Sequence, residues 1–127
     1  MMRHSILAID DSPVQRSLYN CFIGKTNDLL FASLGADAIQ KAQNHKFDLI
    51  ICDMHLPDMD GVEIITKIRQ MPLHKTTLII VVSSDAEGGK QAMNVGAKFY
   101  VLKPVDPKTF LVNIDKLIAN YQASLAR

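Results

Sequence analysis

Two stretches of this chain, residues 49–52 and 78–82, read LIIC and LIIVV, with no polar residue on alternate positions. A half-solvated strand alternates apolar and polar residues, so continuous runs of strand length imply a sheet covered on both faces. Such runs alternate here with amphipathic segments, which is the pattern of βα units wound around a parallel sheet. The expected strands are residues 5–9, 29–32, 48–52, 77–82 and 99–101. Five units of this kind define an α/β fold: a doubly wound sandwich of three layers, with a five-stranded parallel sheet and five helices.

The helix signals lie between the strands. Ser12-Pro13 supplies a side-chain N-cap followed by proline at the first helical position, and Val14, Leu18, Cys21 and Phe22 are the expected inner face, with Gly24 closing the helix. Helix two is expected over 36–45, helix three from 61 or 62 to about 70, and helix four over 87–94 before Gly96. Helix five should begin near Pro107. Its apolar stripe, Phe110, Ile114, Leu117, Ile118, Tyr121 and Leu125, runs almost to the last residue. The whole chain, 1–127, reads as one domain with a core of about 5–119.

Composition narrows the function. Hydrophobic residues make up 48% and charged residues 21%, and 14 basic residues nearly balance 13 acidic ones. No basic stripe suited to nucleic acid is present. No apolar run approaches the ~20 residues of a membrane span, and the first ten residues lack a secretory pattern, so the expected location is cytoplasmic. Cys21 and Cys52 lack metal-type spacing and are expected as buried, reduced thiols. His4, His45 and His74 are expected at the surface.

In an open parallel sheet, ligands bind outside the carboxyl ends of the strands. Asp10 and Asp11 follow the first strand, Asp53 the third, Ser83 the fourth and Lys103 the fifth. Three carboxylates at one point repel each other and invite a hard divalent cation such as magnesium, with manganese as a substitute. A carboxylate is also a competent nucleophile toward phosphorus, and an ammonium and a hydroxyl can neutralise charge on the transferred group.

These residues resemble the receiver domain of two-component response regulators, from Ile6 to about Leu117. The resemblance rests on Asp10-Asp11, on Asp53-Met54-His55-Leu56-Pro57-Asp58-Met59-Asp60-Gly61, on Ser83 and on Lys103-Pro104. It implies that Asp53 is the phosphoacceptor, that Asp10, Asp11, Asp53 and the backbone carbonyl of His55 hold the metal, and that Lys103 pairs with the phosphoryl group. It further implies that Ser83 and Tyr100 form the switch, that the Lys103-Pro104 bond is cis, and that the surface of helix four, strand five and helix five responds. The implied protein is a signalling switch that modifies only itself, not a metabolic enzyme. Its donor would be a sensor histidine kinase or a histidine phosphotransfer protein. Its target would be another protein, an output domain outside this chain, or a second copy bound through the responding surface.

Two further readings are specific to this chain. His55 and Asp85, two residues beyond Asp53 and Ser83, are placed to tune the lifetime of the phosphoryl group. Gly88-Gly89 should weaken the start of helix four, since each glycine costs a helix about 1 kcal/mol relative to alanine. The alternatives are a degenerate receiver acting as a constitutive scaffold, an aspartate-nucleophile phosphatase, and a flavin-binding module. The phosphatase would place Asp-x-Asp at the first strand, where this chain has Asp10-Asp11-Ser12. The flavin module would need a phosphate-cradling loop there.

Overall fold

The computed structural model describes residues 3–103 and 113–126. In chain order the elements are β1 (Ser5–Ile9), α1 (Pro13–Ile23), β2 (Asp28–Ala32), α2 (Gly35–Asn44), β3 (Leu49–Asp53), α3 (Gly61–Arg69), β4 (Leu78–Ser83), α4 (Ala86–Asn94), β5 (Phe99–Leu102) and α5 (Ile114–Leu125). The five strands form one parallel sheet in the order β2-β1-β3-β4-β5. The expected cis Lys103-Pro104 bond, the start of helix five near Pro107, and Phe110 lie outside the described residues. No helix among the described residues is long and apolar enough to cross a membrane.

Because side chains alternate across a strand, the continuous apolar runs feed two cores at once. Leu7, Ile9, Ile50, Cys52, Ile79 and Val81 pack beneath α2, α3 and α4 with Ala38, Ala42, Ile64, Ile65, Ile68 and Ala92. Ile6, Ala8, Leu49, Ile51, Leu78, Ile80 and Val82 pack beneath α1 and α5 with Tyr19, Ile23, Ile114 and Ile118. Every residue of β3 and β4 is buried, as the runs require.

The rotation of α1 differs from expectation. Its buried residues are Tyr19 and Ile23, whereas Val14 is 71% and Phe22 39% exposed and Cys21 also faces solvent. The helix start fixes this rotation: the Ser12 hydroxyl accepts from Gln15 N at 3.3 Å while Ser12 N donates to Asp10 Oδ1 at 2.9 Å. That anchor turns positions 19 and 23 inward, with the stems of Gln15 and Arg16 half-buried beside them. Cys52 is buried and reduced, as expected, and burial pushes its thiol up out of the reactive range. Cys21 is free but exposed. The α5 stripe is buried at Ile114 and Ile118, while Leu125 is about half-exposed.

Two histidines expected at the surface are buried. His4 lies between β1 and α5, with Nε2 3.2 Å from Asp115 Oδ1. His74 closes a 3-10 turn, Pro72–His74, that fastens the base of the molecule. Its Nε2 lies 2.8 Å from the Ala42 carbonyl and 3.0 Å from that of His45, and its Nδ1 lies 2.9 Å from Thr77 Oγ1. Two carbonyls can only accept, so Nε2 carries the proton and Thr77 donates to Nδ1. Phe47 stacks on the ring at 6.0 Å. Arg69 continues the knot, donating to the carbonyls of His74 and Thr77 at 2.8 Å each and to Gly96 O.

Burial lowers the His74 pKa below the ordinary 6.5. The unfolded chain therefore takes up this proton first as pH falls, so the contribution of His74 is present above pH 6.5 and lost as pH drops toward the folded value. Thermal melts should show His74→Gln destabilised by about 1–3 kcal/mol at pH 8, with part of the wild-type acid sensitivity between pH 7 and 5 removed.

Candidate functional site

The parallel register brings the ends of β1, β3, β4 and β5 to one edge of the sheet. Ile9 pairs with Cys52, Asp53 with Val82 and Ser83 with Leu102, so Asp10, Asp53, Ser83 and Lys103 leave their strands at one level. Asp10 N donates to Ala32 O at 3.0 Å, and Lys103 N donates to Ser83 O at 2.8 Å, which extends the ladder one residue past each strand.

Asp10 is 2% and Asp53 6% exposed, while Asp11 faces solvent. One carboxylate oxygen from each of Asp10, Asp11 and Asp53 falls within 4.8 Å of the others. Lys103 Nζ approaches Asp53 Oδ1 to 3.1 Å from a partly exposed position. Burial raises the Asp10 pKa; the Ser12 amide opposes this, Asp53 adds to it, and Lys103 again opposes it. Three carboxylates with one ammonium leave a surplus of negative charge, and such an oxygen set suits a hard divalent cation.

The loop after β3 is built by its own motif. His55 forms an antiparallel bridge with Asp60, and Leu56 N donates to Met59 O at 3.3 Å across the Pro57-Asp58 turn. The Asp60 side chain then caps α3 by accepting from Glu63 N at 2.9 Å. Gly61 approaches Met54 so closely that a Cβ there would stand 3.0 Å from Met54 Cα. Asp58 reaches across to α2 and accepts from Gly35 N at 2.7 Å and Ala36 N at 3.0 Å. Those two bonds hold its carboxyl below the usual range. This capping role was not visible in the sequence, because Asp58 and its helix lie 22 residues apart. The His55 side chain is exposed beside Asp53 and Met54.

Ser83 is buried at the end of β4 with its hydroxyl turned to the following loop. It donates to Asp85 O at 2.8 Å and accepts from Asp85 N at 3.2 Å. The Asp85 carboxylate is engaged as the N-cap of α4, accepting from Gly88 N. Tyr100 is half-buried on β5 against the α4 side of the core. The structure thus brings Asp10, Asp11, Asp53 and Lys103 together, sets the Ser83 hydroxyl on the α4 side, and commits Asp85 to a helix cap.

A family model for the response regulator receiver domain matches residues 6–115. The chain belongs to this family, and the resemblance noted from the motifs is shown. The transcriptional regulatory protein SrrA of Staphylococcus aureus is 29% identical over 126 residues, or 97% of this chain and 51% of SrrA. The chain thus spans about half the length of the curated relatives it matches. Chemotaxis response regulator CheY4 of Vibrio cholerae is 28% identical, with a TM-score of 0.84 over 91% of this chain and 99% of CheY4. The receiver domain of sensor histidine kinase PA1611 from Pseudomonas aeruginosa PAO1 was solved with a magnesium ion coordinated in its active site cleft. It shares the fold at 20% identity, with a TM-score of 0.80 over 94% of this chain and 98% of that one.

Asp10 is held charged at a cost, since its folded pKa lies above 3.8. A raised acid stabilises the fold most below its unfolded pKa and loses that contribution as pH rises through the folded value. In chelator at pH 7.5, Asp10→Asn should therefore melt higher than the parent. Magnesium should raise the melting temperature of the parent and leave that of the variant unchanged.

Proposed function

We propose that the chain is a phosphorylation-dependent switch in which Asp53 accepts a phosphoryl group from a phosphohistidine on a sensor kinase or phosphotransfer protein. The observation that carries this reading is the acidic cluster with Lys103 Nζ 3.1 Å from Asp53 Oδ1 at the carboxyl edge of the sheet. An Asp53 carboxylate oxygen forms a bond to phosphorus as the bond from phosphorus to the donor imidazole breaks. The imidazole nitrogen keeps the bonding pair, and with a proton on its other nitrogen the ring departs neutral.

Asp10, Asp11, Asp53 and the His55 carbonyl would hold magnesium, which when bound supplies positive charge against the phosphoryl oxygens. Manganese carries the same charge and favours the same oxygen ligands. Lys103 offers a compact point charge to the transferred group. Burial of Asp10 and Asp53 lowers the local dielectric and strengthens both interactions. Ser83 would then leave Asp85 to bond a phosphoryl oxygen, and Tyr100 would move with it. The readout is a shift of population between two packings of the α4–β5–α5 surface.

The target is a second protein, another copy of the chain, or an output module. His55 governs access to the acyl phosphate from its exposed position, and Asp85 acts on its lifetime through the loop it shares with Ser83. Dephosphorylation of His55→Ala and Asp85→Ala at rates equal to the parent would remove both from this role.

Intact-mass spectrometry after incubation with acetyl phosphate and magnesium should show one phosphoryl adduct on the parent. Asp53→Asn and a chelated parent should show none. An adduct that persists on Asp53→Asn would overturn the assignment of the acceptor.

A further inference from the structure

The glycine pair in the first turn of α4 touches both residues of the proposed switch. A Cβ at Gly88 would stand 3.0 Å from Ser83 Oγ and 3.0 Å from Asp85 Oδ1. A Cβ at Gly89, which is buried, would stand 2.5 Å from Tyr100 Cγ and 3.0 Å from Tyr100 Cβ. Those atoms form the root of the Tyr100 side chain, so swinging the phenol tip alone cannot relieve the overlap. The bare backbone of α4 therefore meets the hydroxyl at one residue and seats the ring at the next.

A single acceptor joins the two contacts. The Asp85 carbonyl receives the Ser83 hydroxyl at 2.8 Å and the Gly89 amide at 3.3 Å. The second bond is the first rung of the α4 ladder, and it is long. Two adjacent glycines weaken this turn intrinsically, so one backbone bond has unusual leverage over whether the turn is tight. The neighbouring cap does not compete for that carbonyl, because Gly88 N is held by the Asp85 side chain.

We infer that the Asp85 carbonyl is a relay: when Ser83 turns away, the Gly89 amide takes this acceptor undivided, and the first turn of α4 tightens beneath the Tyr100 ring. This rests on the reading of Ser83 given under Proposed function. Gly89 is then a positioning residue, acting through Tyr100 and touching no reacting atom. Alanine at 89 would deny the ring its seat. Ser83 and Tyr100 are thereby coupled through main chain, in addition to any exchange of space between their side chains.

The relay predicts a direction that mere loosening does not. In unphosphorylated Ser83→Ala, amide exchange at Gly89 should slow severalfold relative to Ala92 in the same helix. A purely structural loss of the Ser83 bonds would speed exchange throughout the turn. In Gly89→Ala, the Tyr100 ring proton resonances should shift, while intact mass after acetyl phosphate and magnesium still registers one adduct. Unchanged or faster Gly89 exchange in Ser83→Ala, or unchanged Tyr100 resonances in Gly89→Ala, overturns the relay. In the parent, an adduct without slower Gly89 exchange also overturns it and leaves the Asp53 acceptor standing. No adduct on the parent overturns the acceptor, while exchange in Ser83→Ala and the ring resonances of Gly89→Ala still decide the relay.

Discussion

The mutual repulsion of Asp10, Asp11 and Asp53 is the interaction around which this molecule is arranged. Three carboxylate oxygens within 4.8 Å of one another cost free energy in a folded chain, and a single ammonium from Lys103 offsets only part of it. The rest of the fold must hold them there. Two buried strands deliver Asp10 and Asp53, and a backbone bond to Ser83 brings Lys103 alongside. Such a set of carboxylate oxygens suits a hard dication.

Much of this arrangement is legible in the residues. Strands that are apolar on both faces announced themselves as LIIC and LIIVV, and with them the parallel sheet and the common edge on which Asp10, Asp53, Ser83 and Lys103 lie. Local caps were equally readable at Ser12-Pro13. Illegible features depend on three-dimensional geometry rather than on apolar spacing. Apolar spacing in α1 pointed to Val14, Leu18, Cys21 and Phe22, yet with the turn fixed by Asp10 and Ser12 the buried residues are Tyr19 and Ile23, and of the four only Leu18 is half-buried. His74 looked like a surface residue because its partners, the carbonyls of Ala42 and His45, are about thirty positions away. Gly88-Gly89 read as a weak helix start, and nothing along the chain showed that Tyr100 needs the missing Cβ.

The two ends of the sheet divide their duties. At the carboxyl end the loops hold titratable groups close together and tie them to helix starts, through Ser12, Asp58, Asp60 and Asp85. At the amino end His74, Arg69 and Lys46 satisfy carbonyls of α2 and the 3-10 turn and the carbonyl and hydroxyl of Thr77, just before β4. The clustered carboxylates thus sit at one end, and the opposite end is tied by hydrogen bonds between side chains and backbone.

Asp58 gives the clearest case of what such ties impose. Its carboxylate spans from the loop after Asp53 to the first amides of α2, so that loop has a fixed reach as well as a fixed shape. Lengthening it by even one residue would carry the clasp past its mark. Among the described residues, the exposed Lys25-Thr26 turn at the other end bears no such clasp on its side chains beyond the Thr26–Asn27 contact. A chain recut or a reporter inserted there would leave the acidic edge undisturbed, which makes the amino end the natural handle of this molecule.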